Sequence, residues 1–63
     1  MKLTADTITD AQIIAGRGAG IPLGVYVLAL TPNSAAWIDG ATMTTREARG
    51  RVAEIINARS HES

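Results

Sequence analysis

The most specific chemical signal in this chain is its glycines and one acid placed beyond them. Gly16-Arg-Gly18-Ala-Gly20 follows Ala11-Gln-Ile-Ile-Ala15 and precedes an apolar run, and Asp39 stands nineteen positions after Gly20. Read as strand, glycine turn, helix and acid, this order mimics a dinucleotide-binding unit. In such a unit the glycines admit a pyrophosphate to a helix N-terminus and the acid holds a ribose. The third glycine falls one position early for GxGxxG, and Pro22 lies in the first turn of the required helix. A chain of 63 residues also has no second half-sheet to wall a crevice. The plainer reading is a helix stop followed by a loop. A nucleotide-binding fragment using Gly16, Gly18, Gly20 and Asp39 is kept as a second alternative.

The next grouping is basic. Arg46, Arg49, Arg51 and Arg59 fall on one C-terminal segment, the pattern of a recognition helix offered to DNA. Arg46 and Arg51 share the outer face with Glu47 and Glu54, which brings that face close to neutral, while Arg49 and Arg59 flank the apolar stripe. A solvated, salt-bridged face with snorkelling arginines accounts for the same residues. A small DNA-binding regulator using Arg46, Arg49 and Arg51 is therefore the alternative function and not the leading one.

Hydroxyls are plentiful, from Thr4 to Ser63, but the one histidine, His61, lies two residues from the C-terminus, so no histidine in the expected ordered region can activate one. Asp39 with Glu47 or Glu54 forms a carboxylate pair only if the fold brings them to one cleft. No cysteine is present, so disulfides and thiolate zinc sites are ruled out, and one histidine makes no metal cluster. The chain is read as a non-enzyme with no cofactor and no metal.

The remaining chemistry is that of surfaces. Trp37 is the only tryptophan, flanked by Ala36 and Ile38 beside a turn. Tryptophan is enriched at interface hot spots, but it is also the largest body available to a core with one other aromatic, Tyr26. The core role is the first expectation for Trp37 and the interface role its competitor. Tyr26, Trp37, Ile38, Met43 and Arg49 are the candidate partner-binding residues.

These residues need elements to hold them. Thr9-Asp-Ala-Gln12 has the spacing of a capping box and predicts a short helix over about 10–16, with Ala11, Ile14 and Ala15 on its apolar face, ended by the glycines. The run 24–30 is ambiguous. Val25-Tyr26-Val27 favours a strand, whereas Leu23, Val27 and Leu30 at i, i+4 and i+7 with Pro22 ahead of them suit a helix. The strand is preferred. Thr31-Pro-Asn-Ser34 reads as a turn, and Asp39-Gly40 between short strand-like runs is a hairpin signal. A second capping box, Thr44-Thr-Arg-Glu47, opens a helix from Thr45 to about Arg59 with the stripe Ala48, Val52, Ile55 and Ile56. Within it, Gly50 weakens the helix unless something packs closely there, and Asn57 onward reads as a fraying end.

The predicted fold is thus α+β, one small domain over 1–63: a short N-terminal helix, a central hairpin on 24–30 and 35–43, and a C-terminal amphipathic helix across it. Residues 1–8 and 60–63 are expected to be a flexible lead-in and tail. The alternative is a three-helix arrangement with 22–31 as the second helix.

Composition narrows the function classes. Six Lys plus Arg balance six Asp plus Glu, so the strong field of a non-specific nucleic-acid binder is missing. No charged residue lies between Gly18 and Ile38, yet this run is too short for a bilayer span. The first residues lack the apolar core of a signal peptide, so no membrane is expected and the location is read as cytoplasmic. A chain this short hides only about 60% of its unfolded surface. With disulfides and metals ruled out, oligomerisation or docking is the remaining staple.

Thr7-Ile-Thr-Asp-Ala-Gln-Ile13 and Glu47-Ala-Arg-Gly-Arg-Val-Ala-Glu-Ile-Ile-Asn-Ala-Arg59 resemble short reading frames of phages and mobile elements. That resemblance implies a small accessory protein that binds a host or viral component, such as an inhibitor of a bacterial defence system or a small transcription regulator. Such proteins tend to be helical throughout, from which the middle of this chain departs, and no functional residue carries over. The leading reading is a protein-interaction module, acting as a homo-oligomer or on a larger partner.

Overall fold

The computed structural model describes residues 2–60, in the order helix α1 (Asp10–Ala15), a 3-10 turn (Gly16–Ala19), helix α2 (Leu23–Ala29), strands β1 (Ala35–Ile38) and β2 (Ala41–Thr44), and helix α3 (Thr45–Ser60). The α+β class, with its N-terminal helix, central hairpin and C-terminal helix, is as predicted. Both capping boxes form. The Thr9 hydroxyl accepts from the Gln12 backbone N–H at 3.2 Å while Gln12 Oε1 accepts from Thr9 N–H at 2.8 Å. Thr44 and Glu47 repeat the exchange at 3.2 and 3.0 Å. These bonds satisfy donors that a helix start leaves without partners.

The strand preferred for 24–30 is overturned: residues 23–29 are helical. Pro22 is the N-cap, its fixed φ and missing N–H suiting that end, and its carbonyl accepts from Tyr26 N–H at 2.9 Å. A helix this short has little stability of its own. It holds because Val25, Leu28 and Ala29, spaced for one helical face, are buried against α3. Tertiary burial overrides the β preference of its valines.

The hairpin is instead contained in 35–44. Asp39 and Gly40 both take positive φ, 53° and 82°, which fits a two-residue turn of the twist that strands prefer. β1 and β2 pair antiparallel with Ala36 opposite Met43 and Trp37 opposite Thr42. In the preceding turn Asn33 also sits at φ 50°, as its side chain tolerates.

The core comprises Ile8, Ile13, Ile21, Val25, Leu28, Ala29, Ala48, Val52 and Ala53. On α1 the buried face is Ile13, while Ala11, Ile14 and Ala15 are exposed. The α1 face is therefore one position off the expected stripe, since α1 meets α3 through a single side of one and a half turns. On α3, Ala48 and Val52 are buried as expected, Ala53 joins them, and Ile55 and Ile56 are half-buried.

The lead-in is hydrogen-bonded to α3. Asn57 receives a hydrogen bond from Leu3 N–H on Oδ1 at 3.0 Å and gives one from Nδ2 to Leu3 O at 2.8 Å, a two-bond clamp between α3 and an extended segment. Ile8 is in the core, and Thr4 and Thr7 bond to each other's backbone and side chain. Of the expected tail, residues 61–63 lie outside the described residues.

Gly50 packs on the lead-in as well, and it makes a test of that packing. An alanine methyl at Gly50 would sit 3.6 Å from Ala5 Cβ, an ordinary contact. Gly50→Ala is accordingly expected to stabilise the fold by about 0.5–1 kcal/mol through helix propensity and reduced freedom of the unfolded chain. Urea unfolding followed by circular dichroism checks it; a loss of stability would mean that Ala5 lies closer to α3.

Candidate interaction surface

Strand alternation places the hairpin's side chains on two faces. Ala36, Ile38, Ala41 and Met43 share the inner face, and Ile38 and Met43 pack on the core. Ala35, Trp37, Thr42 and Thr44 share the outer one. Trp37 is 74% exposed, so the expected core role is overturned. The cause is parity: with Ile38 turned inward against α2, its neighbour must face out.

Two large apolar side chains missed by the sequence reading join the exposed set. Leu23 and Val27, one turn apart on α2, are 63% and 53% exposed because Val25, Leu28 and Ala29 take the core-facing side. Their i, i+4 spacing was visible, but a strand assignment hides which face it belongs to. Beside them runs an open groove of about 440 Å³ bordered by Leu23, Gly24, Val27, Thr31, Ser34 and Ala36. Gly24 forms part of its floor, the Ile38 Cδ1 atom lying 3.9 Å from where a methyl would be. Tyr26 is half-buried, with the Arg17 guanidinium 5.4 Å from its ring centre, a cation–π contact.

The arginines divide by role. Arg49, expected at the partner surface, is engaged inside the fold. Its Nη1 donates to Asp10 Oδ1 at 2.8 Å and to Ala29 O at 3.0 Å, and its Nη2 donates to Ile8 O at 2.8 Å. Ala29 O belongs to the last turn of α2, where carbonyls lack helical partners. Thr31 serves the same end, its hydroxyl donating to Val27 O at 2.8 Å and its N–H to Leu28 O at 3.0 Å. Arg46 makes a two-pronged ion pair with Asp6, and both side chains are exposed. Arg51 is exposed on α3. Of Arg46, Arg49 and Arg51, two are thus held by acids of the same chain.

A second cleft, of about 460 Å³, lies where α3 begins and is bordered by Ala5, Asn33, Ser34, Thr45, Arg46 and Arg49. Thr45 ties the 31–34 turn to it. Its backbone N–H donates to Ser34 O at 2.9 Å, its hydroxyl accepts from Ser34 N–H at 2.9 Å, and that hydroxyl also bonds to Thr31 O. These donors are consumed in holding the turn.

The Arg46 hydrogen bonds, and secondly its charge, hold the Asp6 carboxyl below its ordinary range, against a small opposing desolvation. A carboxyl depressed in the folded state stabilises the fold above its unfolded pKa and loses that contribution as the pH falls through its folded value. The Asp6 carboxyl carbon, followed by NMR, should therefore titrate below the usual aspartate range. Arg46→Ala should return it, and salt should weaken the effect because the pair is exposed. An ordinary midpoint in the wild type would remove the pair.

The glycine motif does not meet the context it needs. Gly16 to Gly20 follow a helix, not a strand, and end at Gly20 with φ 87°. Among the described residues, Glu47 is spent on its cap and no group of three or more His, Cys, Asp or Glu is placed to hold a metal ion. No described helix is long and apolar enough to cross a membrane.

Fold and surface together define a small domain of three helices and one β-hairpin, with apolar side chains displayed on α2 and the hairpin. No family model, curated protein or solved structure matches the chain.

Proposed function

We propose that this chain is a non-enzymatic protein-interaction module that docks through apolar surface on α2 and the hairpin. One observation carries the reading: large apolar side chains on α2 and β1 stay outside a core that is partly built of alanine. Ala29, Ala48 and Ala53 are buried, while Leu23, Val27 and Trp37 face outward. A chain short of core volume gains from burying its largest apolar groups. Leaving them outside makes physical sense if a partner covers them. The DNA-binding alternative draws less support, since Arg46 and Arg49 spend their donors on Asp6, Asp10 and backbone carbonyls.

A photoreactive side chain at position 27 or 37, with position 54 on the outer side of α3 as reference, tests the module. The expected result in cells is an adduct of one discrete mass from 27 or 37, suppressed by excess unlabelled chain. Equal or absent labelling at all three positions would overturn the reading.

A further inference from the structure

The α2–β1 face also indicates what covers it. We propose that it is a self-association surface, closed by a second copy of this chain about a two-fold axis. This rests on the interaction-module reading and names its partner.

The relief of the face is the first argument. Leu23 and Val27 stand proud of α2 as a ridge, and next to them the groove is bordered by Gly24, Ser34 and Ala36, whose side chains are among the smallest. A two-fold interface uses the same patch on both copies, so that patch must offer both a projection and a recess. Antiparallel approach of two α2 helices seats the ridge of each copy in the recess of the other. Gly24 and Ala36 let the backbones come close.

Charge is the second argument. None of the groove's bordering residues is charged, and the sequence carries no charge from Gly18 to Ile38. A partner of strong charge finds nothing complementary there. A second copy meets an uncharged surface with no like-charge juxtaposition, and a net charge of zero removes long-range repulsion between copies.

Area sets the strength. A standard stable interface takes about 800 Å² from each partner, about a fifth of the 4221 Å² this chain exposes. Two large side chains and a groove make a smaller patch than that, so a weak, reversible dimer is expected.

Sedimentation velocity of the full chain from about 1 μM to 1 mM reads this directly. The weight-average mass should climb from 6.6 kDa toward twice that value. Val27→Glu and Ala36→Glu, on opposite walls of the groove and both at exposed positions, should remain monomeric with unchanged circular dichroism, whereas Glu54→Ala should associate like the wild type. A wild type monomeric throughout, or folded Val27→Glu and Ala36→Glu variants that still dimerise, would overturn the proposal. The two readings fail separately: photo-adducts to another protein alongside a monomeric wild type sink self-association and leave the module, and no adduct at all sinks both.

Discussion

Ile13→Ala is expected to remove about half of the folding stability of this chain. Ile13 has no exposed surface and is one of three large side chains fully buried in this core, with Val25 and Val52. Removing three carbons from such a site costs about 2–5 kcal/mol, because the lost transfer energy is joined by the cavity left behind. At about 0.05–0.15 kcal/mol per residue, a chain of this length has only about 3–9 kcal/mol in all. α1, at six residues, cannot persist without its docking residue. Ile13→Val should lose only about 0.5–1.5 kcal/mol. Urea titration with far-ultraviolet circular dichroism separates the two, and an Ile13→Ala variant as stable as wild type would disprove this core.

Arg49→Ala should destabilise nearly as much, by about 2–4 kcal/mol, although it removes no core residue. One guanidinium joins three separate pieces of chain to α3: the lead-in at Ile8 O, the start of α1 at Asp10, and the end of α2 at Ala29 O. Without it two carbonyls lose a charged donor, and the guanidinium is three-quarters shielded, with 23% of its side chain exposed. The Asp10 bond contributes least, since that carboxylate is 68% exposed, and Asp10→Asn should cost under about 1 kcal/mol. Arg49→Lys should recover less than half of the loss, because an ammonium cannot span the fork. If Arg49→Lys matched the wild type in thermal unfolding, charge alone would be at work and the three-way bridge would be wrong.

The parts of this fold that could be read from sequence are those whose cause is local. Thr9 with Gln12, Thr44 with Glu47, and Asp39-Gly40 each act within a few residues, and each forms as its spacing predicts. What could not be read depends on residues far along the chain. Val25-Tyr26-Val27 is helical because Val52 and its neighbours lie across from it. Trp37 faces out because Ile38 has α2 to face, and a four-residue strand carries no periodicity long enough to fix its own parity. Arg49 looked like a surface cation, since nothing in its own segment reveals that three distant acceptors converge on it. Of the candidate interface, Trp37 and Tyr26 were recognisable by type, whereas Leu23 and Val27 became visible only once α2 was a helix.

The Asn57–Leu3 clamp spans 54 positions, nearly the whole described chain. Closing so large a ring is entropically costly, though that cost rises only slowly with length. A contact joining segments so far apart in sequence is expected to form late, so Asn57→Ala should speed unfolding and leave the folding rate almost unchanged.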